Sequence, residues 1–133
     1  MKVHTVLFVC IENSCRSQMA EGFARRFGRG VIEPYSAGSR PSGIVHPGAV
    51  YVMQEKGVDI SGHSSKGFDA LPSGDFDYVV TMGCGDACPA VAARKRLEWK
   101  IPDPKGKILA SFREARDLIA DKVQEFIREL ENT

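Results

Sequence analysis

An apolar run that ends in cysteine, and a helical pattern that starts seven residues later, constrain this chain more than any other feature. Val6-Leu7-Phe8-Val9 reads as a buried strand within an extended segment over residues 3–10. From Ser17 onward Met19, Ala20, Phe23, Ala24 and Phe27 recur at helical spacing, and Gly28 closes the helix. Between the two stands Cys10-Ile11-Glu12-Asn13-Ser14-Cys15-Arg16-Ser17. A loop between strand and helix can turn its backbone N–H groups, and the helix N-terminus, toward one point. A cysteine and an arginine six positions apart suit such a loop wrapped around a tetrahedral oxyanion. Arg16 can clamp two oxygens in its planar fork. Cys10 would lie beneath the central atom, its thiolate favoured by the same positive field. Ile11, Glu12, Asn13, Ser14, Cys15 and Arg16 are thus the expected anion-binding stretch. Asn13 tolerates a left-handed backbone, and Ser14 and Ser17 offer hydroxyls to the thiolate or to the helix end. Cys15 reads as a small buried thiol that shapes the loop; pairing with Cys10 against over-oxidation is the alternative. Chemistry on phosphate, arsenate or a similar anion is the first expectation.

The remaining chain supports an α/β fold. Val31 to Ser36 reads as a second strand followed by a turn at Gly38, and Pro47 opens a helix that stops at Gly57. Tyr78-Val79-Val80-Thr81-Met82 is the next strand, and Phe112 to Leu130 form a long amphipathic helix. Alternating strands and helices predict a parallel sheet, and ligands then bind outside the carboxyl ends of its strands. Cys10 ends one strand and Cys84 follows another, with the loop holding Asp103 further on. The 133 residues are expected to form one domain, 1–133, with an ordinary globular composition of 43% hydrophobic and 26% charged residues. A formal net charge of +1 gives no global attraction to nucleic acid or membrane. Val6 to Ile11 is too short for a secretory signal or a membrane span, so a cytoplasmic protein with reactive, rather than structural, cysteines is expected.

Spacing alone leaves Cys84 and Cys88 open. In a local helix their Cα atoms would be about 6 Å apart, within the roughly 4.4–6.8 Å of a disulfide. Two buried thiols, or half of a zinc site with His63, are the other readings, although no second cysteine pair completes four ligands. Asp103 before Pro104 is, by spacing, an aspartate that starts a turn. Arg94, Lys95, Arg96 and Lys100 cluster around Trp99, a docking surface or a solvated face more than a nucleic-acid patch. His4, His46 and His63 stand alone and carry no expected catalytic role.

The stretch Val9 to Gly22 resembles the signature of low-molecular-weight tyrosine-phosphatase folds. More narrowly, it resembles the arsenate reductases built on that fold, since those phosphatases carry proline where this chain has Gln18. Tyr35-Ser36-Ala37-Gly38, Val58 to His63, Val80 to Cys84 and Asp103-Pro104 extend the likeness over most of the chain. The resemblance implies a three-layer α/β/α fold with a four-stranded parallel sheet. It implies Cys10 as nucleophile assisted by Arg16 and Ser17, Asp103 as general acid, and Cys84 then Cys88 as resolving thiols. Arsenate is the substrate so implied, on a monomer, with thioredoxin or a low-molecular-weight thiol system as electron donor and no cofactor or metal. Asn13, Glu21 and Ser36 match positions that hold potassium in some related reductases, and Lys66 stands at the fourth. Its ammonium either replaces the ion and pairs with Glu21, or is a solvated loop charge; both readings stay open. Two rivals remain at this point: a tyrosine or small-molecule phosphatase using Cys10, Arg16 and Asp103, and a thiol-based anion or redox sensor. The phosphatases usually carry tyrosines after the Asp-Pro pair, where this chain has Lys105, Gly106 and Lys107.

Overall fold

The computed structural model describes residues 2–72, 75–83 and 92–132. Four strands, β1 (His4–Cys10), β2 (Ile32–Gly38), β3 (Phe76–Thr81) and β4 (Ala93–Glu98), form one sheet in the order β2-β1-β3-β4. Every neighbouring pair is parallel, with Leu7 opposite both Tyr35 and Val79. The helices are α1 (Arg16–Phe27), α2 (Pro47–Gln54) and α3 (Leu109–Glu131), joined by a short 3-10 turn at Phe68–Ala70.

Successive side chains of a strand face opposite sides of the sheet. Val6, Phe8 and Cys10 accordingly join the core under the helices, with Met19, Phe23, Val52, Met53 and Ile119. Leu7 and Val9 join Ala37, Phe76 and Val79 on the other face, which Phe68 and Leu71 partly cover. A central parallel strand buried on both faces must be apolar throughout, as Val6 to Val9 are. The α/β architecture with four parallel strands is as expected. All three helices pack on one face; among the described residues the opposite face carries only the 3-10 turn and its loop. Met19, Ala20 and Phe23 pin α1 against β1, so truncating Phe23 to alanine would cost about 3–5 kcal/mol.

Two elements differ from the sequence reading. The basic run Arg94-Lys95-Arg96 lies in β4, an edge strand with mostly exposed residues. An edge strand needs no buried alternation, and cations there discourage pairing with other chains. Trp99, just beyond, turns inward between Phe8 and Phe126. Gly38 is not a turn: it is the last residue of β2, paired with Cys10. A Cβ there would stand 2.5 Å from Ile11 O and 2.7 Å from Asn13 N, so glycine lets the loop after β1 cross the end of β2. Pro34 is tolerated within β2 because that strand is the other edge.

Candidate active site

The loop from Cys10 to Arg16 joins the carboxyl end of β1 to the start of α1. The carbonyls of residues 11–14 each have a donor outside the loop. Ile11 O accepts from Arg40 N at 2.7 Å, Glu12 O from Ser42 N at 3.1 Å, and Ser14 O from His46 N at 2.9 Å. Asn13 O accepts from Gln18 Nε2 at 3.2 Å. In a trans peptide the carbonyl and the following N–H point in opposite directions. Carbonyls held outward at residues 11–14 therefore aim the N–H groups of Glu12, Asn13, Ser14 and Cys15 inward. The N-terminus of α1 adds its own free N–H groups. Asn13 supports this curl with φ +52°, in the left-handed region that asparagine tolerates.

Behind the loop, side chains form a hydrogen-bonded chain whose direction is fixed. Asn13 Oδ1 accepts the Lys66 N–H at 2.9 Å, so its amide nitrogen is the group that donates to Ser17 Oγ at 2.8 Å. Ser17 Oγ lies 3.0 Å from Cys10 Sγ, and toward the Cys10 thiolate, which carries no hydrogen, it can only donate. Gln18 Nε2 donates to Asn13 Oδ1 and to Ser64 O, each at 2.9 Å, which turns Oε1 toward His63 Nδ1 at 2.9 Å. His63 must then carry its hydrogen on Nδ1. Burial pushes the His63 pKa down, against the pull of Glu21, so the ring is neutral near pH 7. Proline in place of Gln18 could donate none of these bonds.

Glu21 lies under the same loop, buried, with Ser36 Oγ donating to its Oε1 and Arg25 at 2.8 Å. Burial alone would raise its pKa, yet the bonds from Ser36 and Arg25 and the charge of Lys66 together hold it below the usual carboxylate range. Lys66 Nζ sits 3.8 Å from Glu21 Oε1, 3.4 Å from Ser36 Oγ and 3.3 Å from Ser64 O. Of the two readings of Lys66, the pair with Glu21 is thus the one present in the structure.

Arg16 is buried, and its Nη1 donates to Ile101 O at 3.1 Å while Nη2 stands 3.5 Å from Asp103 Oδ2. A Cβ on Gly83 would lie 2.3 Å from Nη1, and Gly83 has φ +83°, so space and backbone both demand glycine. Burial pushes the Cys15 thiol up to about 12, well clear of ionisation at neutral pH. Cys15 is therefore a neutral wall of the loop, and its N–H is the useful group. Cys10, Arg16, Asp103 and the loop residues Ile11, Glu12, Ser14 and Cys15 line one cavity of about 50 Å³, together with Lys105. Asn13 and Ser17 lie behind it. Cys84 and Cys88 fall outside the described residues.

Larger clefts lie elsewhere, including one of about 370 Å³ lined by Lys2, His4, Asp77, Tyr78, Arg94 and Lys95. It sits toward the amino ends of the strands, the wrong end of a parallel sheet for ligand chemistry. The convergence of N–H groups, thiol and guanidinium singles out the small cavity. His63 was not foreseen as part of this site, nor were the Ile101 carbonyl, Gly38, Gly83 and the contact of Lys105 with Glu12. Only the glycines carried any local signal, and it resembled that of turns.

The family model for low molecular weight phosphotyrosine protein phosphatase matches residues 5–133. A protein of Synechocystis named glutaredoxin arsenate reductase is 40% identical over 128 residues, 94% of this chain and 97% of that one. A solved structure described as an arsenate reductase in the phosphate binding state superposes with a TM-score of 0.87 at 39% identity, covering 96% of this chain and 99% of the other. A thioredoxin-dependent arsenate reductase of Corynebacterium glutamicum has a TM-score of 0.76 at 33% identity, over 97% of this chain and 62% of that one.

Proposed function

The chain belongs to the low molecular weight phosphotyrosine protein phosphatase family, and from that premise we propose that it is a thiol-dependent arsenate reductase. The observation that carries this is the cradle: inward N–H groups and Arg16 surround Cys10 Sγ, which Ser17 contacts at 3.0 Å. The similar chains named arsenate reductase direct the choice of anion to arsenate.

In this reading the Cys10 thiolate attacks arsenic held by the loop N–H groups and Arg16, and an arsenic–oxygen bond breaks. Asp103 gives its proton to the departing oxygen, which leaves as water. The Cys84 thiolate then attacks Cys10 Sγ, forming a disulfide. The electron pair of the sulfur–arsenic bond stays on arsenic, which leaves reduced from As(V) to As(III) as arsenite. Cys88 attacks Cys84, frees Cys10 and passes on a Cys84–Cys88 disulfide. Thioredoxin, or a low-molecular-weight thiol system, supplies two electrons to that disulfide. Lys66 serves as the resident cation beneath the loop. The protein works as a cytoplasmic monomer; no helix among the described residues is long and apolar enough to cross a membrane.

Hydrolysis of phosphate monoesters is a second reading, favoured by the placement of Asp103 beside Arg16 over the same cradle. The two separate when the protein is incubated with arsenate and each donor and arsenite is followed. Arsenite should form, and Cys84→Ser should abolish turnover. Cys88→Ser should stop turnover with thioredoxin. No arsenite with either donor would sink the reductase proposal; full activity of Cys88→Ser with a small thiol would move the relay away from thioredoxin.

A further inference from the structure

The cavity over Cys10 has a floor and a rim of different character. Cys10, Ser14, Cys15 and Arg16 form the floor and are buried. Glu12, Asp103 and Lys105 form the rim, with side chains 34%, 50% and 47% exposed. Across the rim the Lys105 ammonium donates to Glu12 Oε1, joining the cradle to the segment that carries Asp103.

We propose that the Glu12–Lys105 pair is a specificity latch, which closes the mouth around an inorganic tetrahedral oxyanion and shuts out anions bearing an organic substituent. This deepens the reductase reading and rests on the Cys10 loop being an oxyanion cradle. The cavity of about 50 Å³ has room for a few water-sized atoms, at about 10–15 Å³ for each. Three oxygens of a tetrahedral anion fit the N–H groups and Arg16 on the floor, and the fourth faces the rim. In a monoester that fourth oxygen carries the carbon group, which has to pass between Glu12 and Lys105. A carboxylate on an anion-binding loop would by itself repel the ligand; paired with Lys105, its charge is offset. Both side chains are thereby accounted for by a single contact. Half-exposed ion pairs are weak, so the latch opens readily enough to admit an anion and release a product.

The test is calorimetric titration of the protein with inorganic phosphate and with phenylphosphonate, which cannot be hydrolysed. Wild type, Glu12→Gln, Lys105→Met and the double variant are compared. The ratio of the two affinities is the readout, because a change of charge at the rim acts alike on two dianions. Wild type should prefer inorganic phosphate, and each single variant should narrow that preference by up to about fivefold, the scale of a partly exposed ion pair. The double variant should narrow it no further, since all three lose the same contact. A ratio unchanged in both single variants, or effects that add in the double, overturns the latch alone. Failure of wild type to bind inorganic phosphate overturns the cradle, and the latch with it.

Discussion

The loop around Cys10 and the segment that covers it are held in different ways. In the loop, carbonyls 11–14 each have a donor, and the side chains of Asn13, Ser17 and Gln18 are bonded in a fixed direction. From Pro102 to Lys107, the segment reaches the loop through charged contacts, Asp103 with Arg16 and Lys105 with Glu12. Its other hydrogen bonds among the described residues are local, Lys105 N to Asp103 Oδ1 at 3.1 Å and Lys107 N to Pro104 O at 2.9 Å. The contrast follows from the two tasks. Donors that stabilise a developing oxyanion are effective when they need no rearrangement during reaction. A group that covers a buried anion must move for the anion to enter.

The largest effect expected on the mobile side is that of Asp103→Ala. It should slow turnover by about 10²–10⁴-fold, the usual weight of a general acid, while inorganic phosphate binds much as before. A large loss of affinity instead would mean that Asp103 helps to build the cradle, and the distinction between the two regions would fail. Gly38→Val strikes the other side. Its Cβ would press into Ile11 O, so the loop must shift, at a cost of about 1–3 kcal/mol. Phosphate titration should show affinity falling by about fivefold or more, with the helical circular dichroism retained. Affinity equal to wild type would show a loop more pliant than its bonds suggest.

The smallest effect sharpens the comparison through pH. The Glu21 carboxyl is held below its ordinary value of 4.5 in the folded protein. Such a group adds stability that is fully present above that value and fades as pH falls through its folded pKa. Glu21→Gln should therefore melt below wild type at pH 7, and the difference should shrink as the pH is taken below 4.5. A gap that persists in acid would assign the loss to packing rather than charge.

Much of the cradle is legible in the sequence because it is local. A strand, a seven-residue step and a helix place Cys10 and Arg16 together, and Asn13 announces the left-handed turn by its type. The sheet edge is harder to read: Arg94-Lys95-Arg96 has no alternation because solvent meets it, so charge hides the strand. Gly38 has the signature of a turn, and only the approach of Ile11 from the loop after β1 reveals its use. His63 reaches Gln18 across 45 residues, and Lys105 reaches Glu12 across 93. Such pairs depend on how distant segments are brought together, which neither periodicity nor composition records.

A single turnover tests the central claim most directly. The fully reduced protein is mixed with arsenate in the absence of any donor, and arsenite and free thiols are counted. If the chain's own thiols reduce the anion, about one arsenite forms per chain and two thiols are lost, and Cys10→Ser forms none. Unchanged thiols and no arsenite, from a protein that still hydrolyses an aryl phosphate, would contradict the account and make the cradle that of a phosphatase.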